Sequence, residues 1–444
     1  MAAERDKKEK SMRQLLLGFI TLGLLWTASA HAQMSPTGLY IVKVKEDACP
    51  TKDPKEKAAK IKEKVLKVSQ KQRISPVFVY DYVVGGFAAE LDEQEILALQ
   101  ADEDVEHVTA DGLAYPTAIR SNPGALDRID QRTFPLNQQY YYSSTAGSGV
   151  MVWLLDSGLG QRNGTAITYV AQLNGRVTHA RNFAPRPGGL WTDIDPAATE
   201  DCIRISDGTV GHGNQVATIA GGTTHGVSPT VTFGIAKTLN CDGISSWAIF
   251  INAANWVRAQ NLARPFPRMA VVNVSLAGDP NPDADQAVRD MALDGMLVVV
   301  DAGNAGLPDN NACSNSPARV GVNTAGVITV GASVATNDTI HPVSDTGACV
   351  EIFAPTDVLA QRADGTVHAF SGTSAATPVV SGVAAEFLRR QYNATLNVPS
   401  ATYLEGLIMG KATMGAINTT GALPGTPDVL IYSRWTDYPE PEGY

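Results

Sequence analysis

The stretch Phe370-Ser371-Gly372-Thr373-Ser374-Ala375-Ala376-Thr377-Pro378 places a serine just before a long apolar run, residues 379–385. The run predicts a buried helix that begins near Ser374. Backbone N–H groups and the positive end of the helix dipole favour negative charge at such a position. A serine held there can attack a carbonyl while its own amide stabilises the oxyanion that forms. An ordinary helix cap uses the same residue types, so this stretch alone does not distinguish a nucleophile from a cap.

Beyond about residue 117 the sequence alternates strongly apolar segments with helix-like ones. Continuous apolar strands with helices between them indicate a parallel sheet that is buried on both faces. We therefore predict a large α/β domain with a mostly parallel central sheet. The predicted strands are residues 150–155, 231–236, 269–274, 296–300 and 327–330, and the predicted helices are residues 246–260, 284–293 and 379–392.

Three polar residues lie where functional groups of such a sheet are expected. Asp156 and Asn304 each follow a predicted strand, and His212 stands between two glycines at the entry to a short helix. The carboxyl ends of parallel strands meet at one edge, so we expect these residues to lie near Ser374. Each one alone is ordinary turn chemistry. Together, in the order Asp, His, Ser, they supply an orienting carboxylate, a base, a nucleophile and an oxyanion donor.

Bulk composition limits the classes of function. The chain has 444 residues, 44% of them hydrophobic and 18% charged, which is typical of a globular protein with more than one domain. A net charge of −10 argues against nucleic acid as the main partner. The sequence has no Cys-x-x-Cys pair and no His-Glu-x-x-His motif, so we predict no catalytic metal site.

The N-terminal part carries a leader and a small domain. Charged residues, an apolar segment at 15–26 and small residues after it fit a signal peptide at 1–32, so we expect a secreted, extracellular protein without stable membrane association after cleavage. Thirteen of the fifteen lysines precede residue 117, which marks a domain boundary there. For residues 33–116 the sequence predicts a strand, a helix, two strands, a helix and a strand, which is a ferredoxin-like α+β arrangement. Asp92 and Glu95 fit a capping box at the second helix.

Four motifs give the chain a resemblance to the subtilisin-like serine proteases, nearest to the proteinase K branch, over roughly residues 120 to 435. The resemblance implies a subtilisin-like peptidase domain at 117–444, preceded by an inhibitory propeptide domain at 33–116. The motifs are Leu155-Asp156-Ser157-Gly158, Gly211-His212-Gly213, Ala302-Gly303-Asn304 and Gly372-Thr373-Ser374-Ala375-Ala376-Thr377-Pro378.

The resemblance also implies roles. Ser374 would be the nucleophile, His212 the general base and then acid, and Asp156 the group that holds His212 in the right tautomer. The oxyanion would be bound by the Asn304 amide and the Ser374 N–H. These roles imply a serine endopeptidase that acts on peptide or protein substrates as a monomer, is made as a zymogen and cuts itself near residues 115–118. Its own propeptide would inhibit it, and no cofactor would be required. The family often binds structural calcium, but no acidic loop in this sequence can be assigned to such a site.

The substrate pocket can be outlined in the same way. Ser275-Leu276-Ala277-Gly278 resembles the strand that borders the S1 pocket in the family, with Ala277 in place of a glycine. Asp301 stands where the family usually has alanine. We hypothesise that its charge gives some tolerance for basic P1 residues. The alternative is that Asp301 hydrogen-bonds a nearby core group.

The five cysteines are an odd number. Cys313 and Cys349 match a disulfide position of some relatives in this branch, and Cys202 and Cys241 flank the His212 segment in the same manner. Cys49 would remain in the propeptide. Buried free thiols are the alternative, which an oxidising compartment disfavours.

Several positions depart from the family pattern without removing a proton carrier or an oxyanion donor. They leave a second hypothesis, a catalytically weak subtilase-fold protein that acts as a binding or regulatory partner. A third, an esterase, is disfavoured, because the serine motif lacks the last glycine of Gly-x-Ser-x-Gly and the chain order of the triad differs. The departures are Asn214, Gln215, Thr218, Ala375 and Val379.

Overall fold

The computed structural model describes most of the chain between residues 39 and 435. The predicted signal peptide, Cys49 and the part of the proposed cleavage region before Thr117 lie outside the described residues. The described ranges are 39–45, 54–81, 85–110, 117–121, 125–163, 166–186, 194–202, 211–241, 243–305 and 310–435.

The chain divides into two compact units, Met1–Ala114 and Tyr115–Tyr444. The first contains four strands and two helices, which are β1 (Leu39–Val44), α1 (Pro54–Gln72), β2 (Phe78–Tyr80), β3 (Gly86–Glu90), α2 (Glu93–Gln100) and β4 (Val105–Ala110). The strands form an antiparallel sheet in the order β2-β3-β1-β4. This is the ferredoxin-like arrangement that the sequence predicts.

The small unit is held by one apolar core under this sheet. Val42, Val65, Phe87 and Leu99 are fully or almost fully buried in it, so α1 and α2 pack their apolar faces against the strands. The capping box predicted for α2 is confirmed. The Asp92 side chain accepts from the Glu95 N–H at 2.8 Å, and the Glu95 side chain accepts from the Asp92 N–H at 2.9 Å.

The second unit is built on a seven-stranded sheet whose neighbouring strands are all parallel. Its order is β10-β11-β7-β12-β13-β14-β15. The strands of this unit are β5 (Thr117–Ser121), β6 (Gln139–Ser143), β7 (Met151–Asp156), β8 (Gln161–Asn163), β9 (Ala166–Thr168), β10 (Val177–Asn182), β11 (Thr232–Lys237), β12 (Ala270–Val274), β13 (Leu297–Asp301), β14 (Val327–Ser333), β15 (Ile352–Pro355), β16 (Val358–Gln361) and β17 (Val367–Phe370).

The five predicted strands of the large domain are all present, as β7, β11, β12, β13 and β14. Several boundaries lie one residue further along the chain than predicted. As a consequence, Asp156 and Asp301 are the last residues of β7 and β13 rather than the first residues of loops. Both carboxylates are therefore held by the sheet itself.

Helices cover both faces of this sheet. They are α3 (Ala125–Ile129), α4 (His212–Gly221), α5 (Trp247–Ala263), α6 (Pro282–Leu293), α7 (Thr373–Thr395) and α8 (Ala401–Lys411), with short 3₁₀ segments at Ala171–Leu173, Ala312–Ser314 and Ala318–Asn323. The core lies in two layers because strand side chains alternate between faces. Val152 and Leu154 join the layer of α4 and α7, whereas Trp153 and Leu155 join the layer of α5 and α6.

The helix that contains the apolar segment 379–392 begins at Thr373, close to the start predicted near Ser374, and includes Pro378. A proline has no N–H, so it leaves the carbonyl of the residue four positions back without its helical partner. Here that carbonyl belongs to Ser374, and the Ser275 hydroxyl donates to it at 3.2 Å. This replacement lets the helix extend back through Pro378 to the serine.

A half-buried acidic pair, Glu351 and Glu405, lies at the end of the sheet away from this helix start. Glu351 accepts from the Thr329 N–H at 2.9 Å, and Glu405 accepts from the Gly326 N–H. Burial raises the pKa of Glu351 to about 8, against the hydrogen bond from Thr329 and with a smaller contribution from the charge of Glu405. A carboxyl whose pKa is higher in the folded state makes folding less favourable as pH rises from the unfolded pKa to the folded one.

We therefore predict that Glu351→Gln flattens the pH dependence of stability between pH 5 and pH 8. The wild type should lose about 2 kcal/mol more than the variant over that interval, or about 3 °C in Tm for a domain of this size. Thermal unfolding should be followed in a Ser374→Ala background to prevent autolysis. Glu200→Gln, which removes a carboxylate paired with Arg162 at the surface, is the matched control. Parallel pH profiles for the wild type and Glu351→Gln would contradict the prediction.

Candidate active site

Asp156 and His212 form a hydrogen-bonded pair. Asp156 is fully buried at the end of β7, and His212 is the first residue of α4, where Gly211 has a φ of 75°. His212 Nδ1 lies 2.8 Å from Asp156 Oδ1, and the same oxygen accepts from the Ser157 N–H at 2.6 Å. The His212 ring meets Phe370 edge to face, with centroids 5.3 Å apart. These contacts fix both the position and the tilt of the imidazole.

The surroundings of His212 favour its charged form. Burial lowers the pKa of the imidazole, but the charge and hydrogen bond of Asp156 outweigh burial, and Asp201 and Asp301 add to their effect. The pKa of His212 is thereby raised to about 9. A proton on His212 is therefore strongly stabilised, so only a small fraction of His212 is the neutral base near pH 7, and that fraction grows as pH rises.

Ser374 stands in the first turn of α7, where helix N–H groups have no partner within the helix. Gly372 precedes the helix with a φ of 95°, a conformation that favours glycine. A Cβ on Gly372 would lie 3.0 Å from Asn304 Oδ1. That same oxygen accepts from the Thr373 N–H at 2.9 Å. The serine turn is thus tied to Asn304, and the tether turns the Asn304 NH₂ group away from Thr373.

The Ser374 hydroxyl donates to Asp301 Oδ2 at 3.4 Å, and the Thr373 hydroxyl donates to the same oxygen at 3.4 Å. Within the described part of the chain, Ser374 Oγ makes no hydrogen bond to His212. The alternative expectation for Asp301, a hydrogen bond to a nearby group, therefore describes its contacts in this structure.

One cleft of about 730 Å³ gathers nearly all the predicted site residues. His212, Ser374 and Asn304 share it with the predicted substrate strand and Asp301, whereas Asp156 lies behind His212. Cys202 and Cys241 lie at its border, and Trp247 and Phe250 add an apolar wall. The predicted residues that line it are Cys202, His212, Cys241, Ser275, Leu276, Ala277, Gly278, Asp301, Asn304 and Ser374.

Asp201 is a site residue that the sequence does not reveal. Its side chain accepts from the Ser157 hydroxyl at 2.6 Å, from the Cys202 N–H at 2.8 Å, and from both the N–H and the side-chain amide of Asn214 at 2.7 Å. The Ser157 hydroxyl in turn accepts from the Gly213 N–H at 2.9 Å. Asp201 therefore connects the residue after Asp156 with the residues after His212. It follows no predicted strand and stands eleven positions before His212, so no sequence pattern marks it.

The departures from the family pattern are accommodated without strain. The Gln215 side chain donates to the Gly211 carbonyl at 3.2 Å and contacts His368. The Thr218 hydroxyl donates to the Gln215 carbonyl and accepts from the Gln361 N–H, both at 3.0 Å. Ala375 and Val379 are fully buried in the core layer of α7. Polar departures thus have partners, and apolar ones fill the core.

The described residues include two disulfides, Cys202–Cys241 and Cys313–Cys349. The first joins the segment before His212 to the loop after β11, at the edge of the cleft. Lys237 Nζ lies 3.0 Å from Cys202 Sγ and also contacts the Ser157 carbonyl. This side of the cleft is therefore cross-linked both covalently and by a buried cation.

Among the described residues, no group of three or more His, Cys, Asp or Glu side chains is placed to hold a metal ion. The expectation about structural calcium stays a prediction without assigned ligands. In the same part of the chain, no helix combines the length and the apolar character needed to cross a bilayer.

A serine at a helix start, a histidine paired with a buried aspartate and an amide at the same cleft define a serine hydrolase site on a parallel α/β sheet. The subtilase family model matches residues 147–426, and the peptidase inhibitor I9 model matches residues 39–115. The chain belongs to the subtilase family and is a serine-type endopeptidase with an I9 propeptide domain.

Individual relatives agree with this assignment. The extracellular serine proteinase of Thermus sp. (strain Rt41A) is 34% identical over 360 residues, covering 80% of this chain and 77% of the relative. Proteinase R of Parengyodontium album is 30% identical over 362 residues, covering 80% of this chain and 82% of the relative. The crystal structure of a cold adapted subtilisin-like serine proteinase superposes with a TM-score of 0.57 at 31% identity, covering 70% of this chain and 97% of that one.

We predict that Asp201→Ala lowers kcat about ten- to a hundred-fold and leaves KM nearly unchanged. The substitution removes the acceptor for Ser157 and Asn214, and a small displacement of His212 is costly for proton transfer. Asp201→Asn keeps one acceptor oxygen, so its kcat should lie between those of the wild type and Asp201→Ala. Steady-state kinetics on a peptide substrate measure the split between kcat and KM. Wild-type kcat in Asp201→Ala would show that Asp201 does not position His212.

Proposed function

We propose that this protein is a secreted serine endopeptidase that cleaves peptide bonds with Asp156, His212 and Ser374 through an acyl-enzyme. The observation that carries the proposal is the hydrogen bond between His212 Nδ1 and the buried Asp156, in a cleft that also holds Ser374 and Asn304. His212, Ser374 and Asn304 reach the cleft from three different segments of the fold, and Asp156 lies behind His212. Ordinary turn or helix-cap roles for the separate residues do not account for their meeting in one place.

Acylation begins when Ser374 Oγ attacks the carbonyl carbon of the scissile bond. The hydroxyl proton passes to His212 Nε2, and Asp156 stabilises the imidazolium that forms. The His212 N–H then protonates the leaving amine, and the C–N bond breaks. The product is an ester between Ser374 and the acyl part of the substrate. Water, deprotonated by His212, hydrolyses this ester and restores the serine.

The negative charge of each tetrahedral intermediate requires donors at a fixed place. We assign this role to the Asn304 side-chain amide and the Ser374 N–H. The bond from the Thr373 N–H to Asn304 Oδ1 supports the assignment, because it occupies the amide oxygen and leaves the NH₂ group as a donor. The Ser374 N–H lies in the first turn of α7, where the helix dipole also favours the charge.

Substrate binding is assigned to the segment Ser275-Leu276-Ala277-Gly278, which follows β12 and lines the cleft beside Ser374. We propose that a peptide lies along this segment with its P1 side chain directed between the segment and Asp301. The Trp247 and Phe250 side chains offer apolar contact in the same cleft. Tolerance for basic P1 side chains remains a proposal that rests on the negative charge of Asp301.

The first unit is proposed to act as an intramolecular inhibitor and folding template that is released by self-cleavage near residues 115–118. The match to the peptidase inhibitor I9 model supports this role. We propose export through a signal peptide at 1–32, since two of the similar proteases are named extracellular or are exoproteases. The proposed reaction uses only groups of this chain, so we propose that it requires no cofactor. We also propose that the mature enzyme is a monomer without stable membrane association.

The first prediction from this mechanism concerns self-processing. The wild-type chain should release its propeptide, and Ser374→Ala should remain at full length, because no acyl-enzyme can form without the hydroxyl. Electrophoresis and intact-mass analysis follow the release, and a fluorophosphonate should label Ser374 in the wild type alone. Equal release from both variants would exclude self-processing. A folded wild-type chain that neither processes nor reacts with the fluorophosphonate would favour a binding or regulatory role.

A second prediction concerns Asn304. Asn304→Ala should lower kcat about 10²–10³-fold with little change in KM, since the amide binds charge that exists only in the transition state. The magnitude is that of an oxyanion-hole amide in the related enzyme subtilisin. The rate of labelling of Ser374 by a fluorophosphonate and the steady-state kcat should both decrease in Asn304→Ala. Asn311→Ala, which removes an asparagine that caps a 3₁₀ segment away from the cleft, serves as the control.

A further inference from the structure

Asp301 is a buried carboxylate next to the nucleophile that the mechanism above does not use. It is 2% exposed, lies at the end of β13 and lines the cleft. Oδ2 accepts from the hydroxyls of Ser374 and Thr373 at 3.4 Å each. Oδ1 is fully buried and has no hydrogen-bond partner among the described residues. Burying a carboxylate with so few hydrogen-bond donors is unfavourable. Its contact with Ser374 therefore suggests a role in function rather than in stability.

The charged groups that face Asp301 are few. His212 on α4 favours its ionised form, and Asp345 in the loop before β15 disfavours it. Burial is the largest influence and raises the pKa of Asp301 to about 7, in spite of His212 and the two hydroxyl donors. Asp301 in turn raises the pKa of His212, after Asp156 and Asp201. Asp301 therefore interacts with both the nucleophile and the base.

We propose that Asp301 is a second acceptor for the Ser374 hydroxyl, which in its ionised form holds that hydroxyl away from His212 and slows acyl transfer at neutral pH. The inference rests on the proposed function, since it assigns a role at the same nucleophile. It concerns the state of the free enzyme before attack. In that state the Ser374 hydroxyl donates to Asp301 and not to His212.

The proton balance explains why this contact is inhibitory. Attack requires the Ser374 proton to pass to His212 Nε2, so the bond from Ser374 Oγ to Asp301 must break first. The negative charge of Asp301 has a second effect. It stabilises the imidazolium of His212 and so reduces the fraction of neutral imidazole that can accept the proton at a given pH. Both effects disappear when Asp301 loses its charge.

The test compares the wild type with Asp301→Asn and Asp301→Ala, using one substrate with Phe and one with Lys at P1. We expect the rising limb of kcat/KM against pH to move to lower pH by about half a unit in Asp301→Asn, as removal of a nearby opposite charge does. Below the pKa of His212, that shift raises kcat/KM at pH 7 about three-fold for the Phe substrate, whose side chain gains nothing from the charge of Asp301. Asp301→Ala should show an equal or larger gain, because it also removes the competing acceptor.

Asp130→Asn is the matched control. Asp130 is another buried carboxylate of the same unit, and its pKa is likewise raised to about 7 by burial, but it contacts the Tyr141 N–H and Arg434 and does not line the cleft. In Asp130→Asn, the rising limb of kcat/KM against pH should lie at the same pH as in the wild type. Superimposable limbs for the wild type and both Asp301 variants would overturn the proposal. A loss with the Lys substrate and no gain with the Phe substrate would overturn it too, in favour of a role for Asp301 in P1 selection alone.

A measurement without turnover separates this inference from the proposed function. The NMR titration of His212 can be followed in Ser374→Ala and in Ser374→Ala with Asp301→Asn. The pKa of His212 should be lower in the second protein, whether or not the wild-type enzyme is active. If Ser374 fails to react with a fluorophosphonate, the proposed function fails. If Ser374 reacts but the pKa of His212 is the same in both proteins, the inference about Asp301 fails alone.

Discussion

The close packing of α4 against α7 is the contact on which the catalytic geometry depends. His212 is the first residue of α4, and Ser374 stands in the first turn of α7. The two helices approach at Gly382, where a Cβ would lie 2.7 Å from the Ala220 carbonyl and 2.5 Å from Val227 Cβ. The Ser228 hydroxyl donates to the Gly382 carbonyl at 2.7 Å across the same contact. A larger residue there would separate the helices and, with them, the base and the nucleophile.

The sheet supplies the third fixed point. Asp156 ends β7 and Asp301 ends β13, so the hydrogen-bonded strands place both carboxylates at the same edge. A side chain on a central parallel strand has little freedom to move, because its neighbours on both sides are covered by helices. The consequence is electrostatic. The negative charges of Asp156 and Asp301 repel each other but are held near the His212 imidazole, and Asp201 adds a third carboxylate from a loop.

These carboxylates differ in what satisfies them. Asp156 bonds His212 and the Ser157 N–H through Oδ1, whereas its Oδ2 has no partner among the described residues. Asp201 has four donors on its two oxygens, although burial still raises its pKa. Asp301 has only two long bonds from hydroxyls and one buried oxygen without a partner in the same part of the chain. Of the three, only Asp301 contacts the Ser374 hydroxyl, so the proposed control of that hydroxyl rests on the protonation of Asp301 and His212.

The sequence predicts the parts of this site that depend on strand and helix patterns. Val150 to Leu155 and similar runs locate the sheet, and polar residues at the ends of such runs locate Asp156 and Asn304, because a sheet edge collects strand ends. The sequence predicts that α7 begins near Ser374, but it does not explain how the helix includes Pro378, since a proline there removes a helical hydrogen bond. Only the three-dimensional contact with Ser275 restores the missing hydrogen bond. The role of Asp201 likewise depends on contacts that no local pattern shows, because its donors include Ser157 and Asn214, which lie in other segments of the chain. Local patterns thus predict where elements run, and partners from distant segments decide which polar groups they can bury.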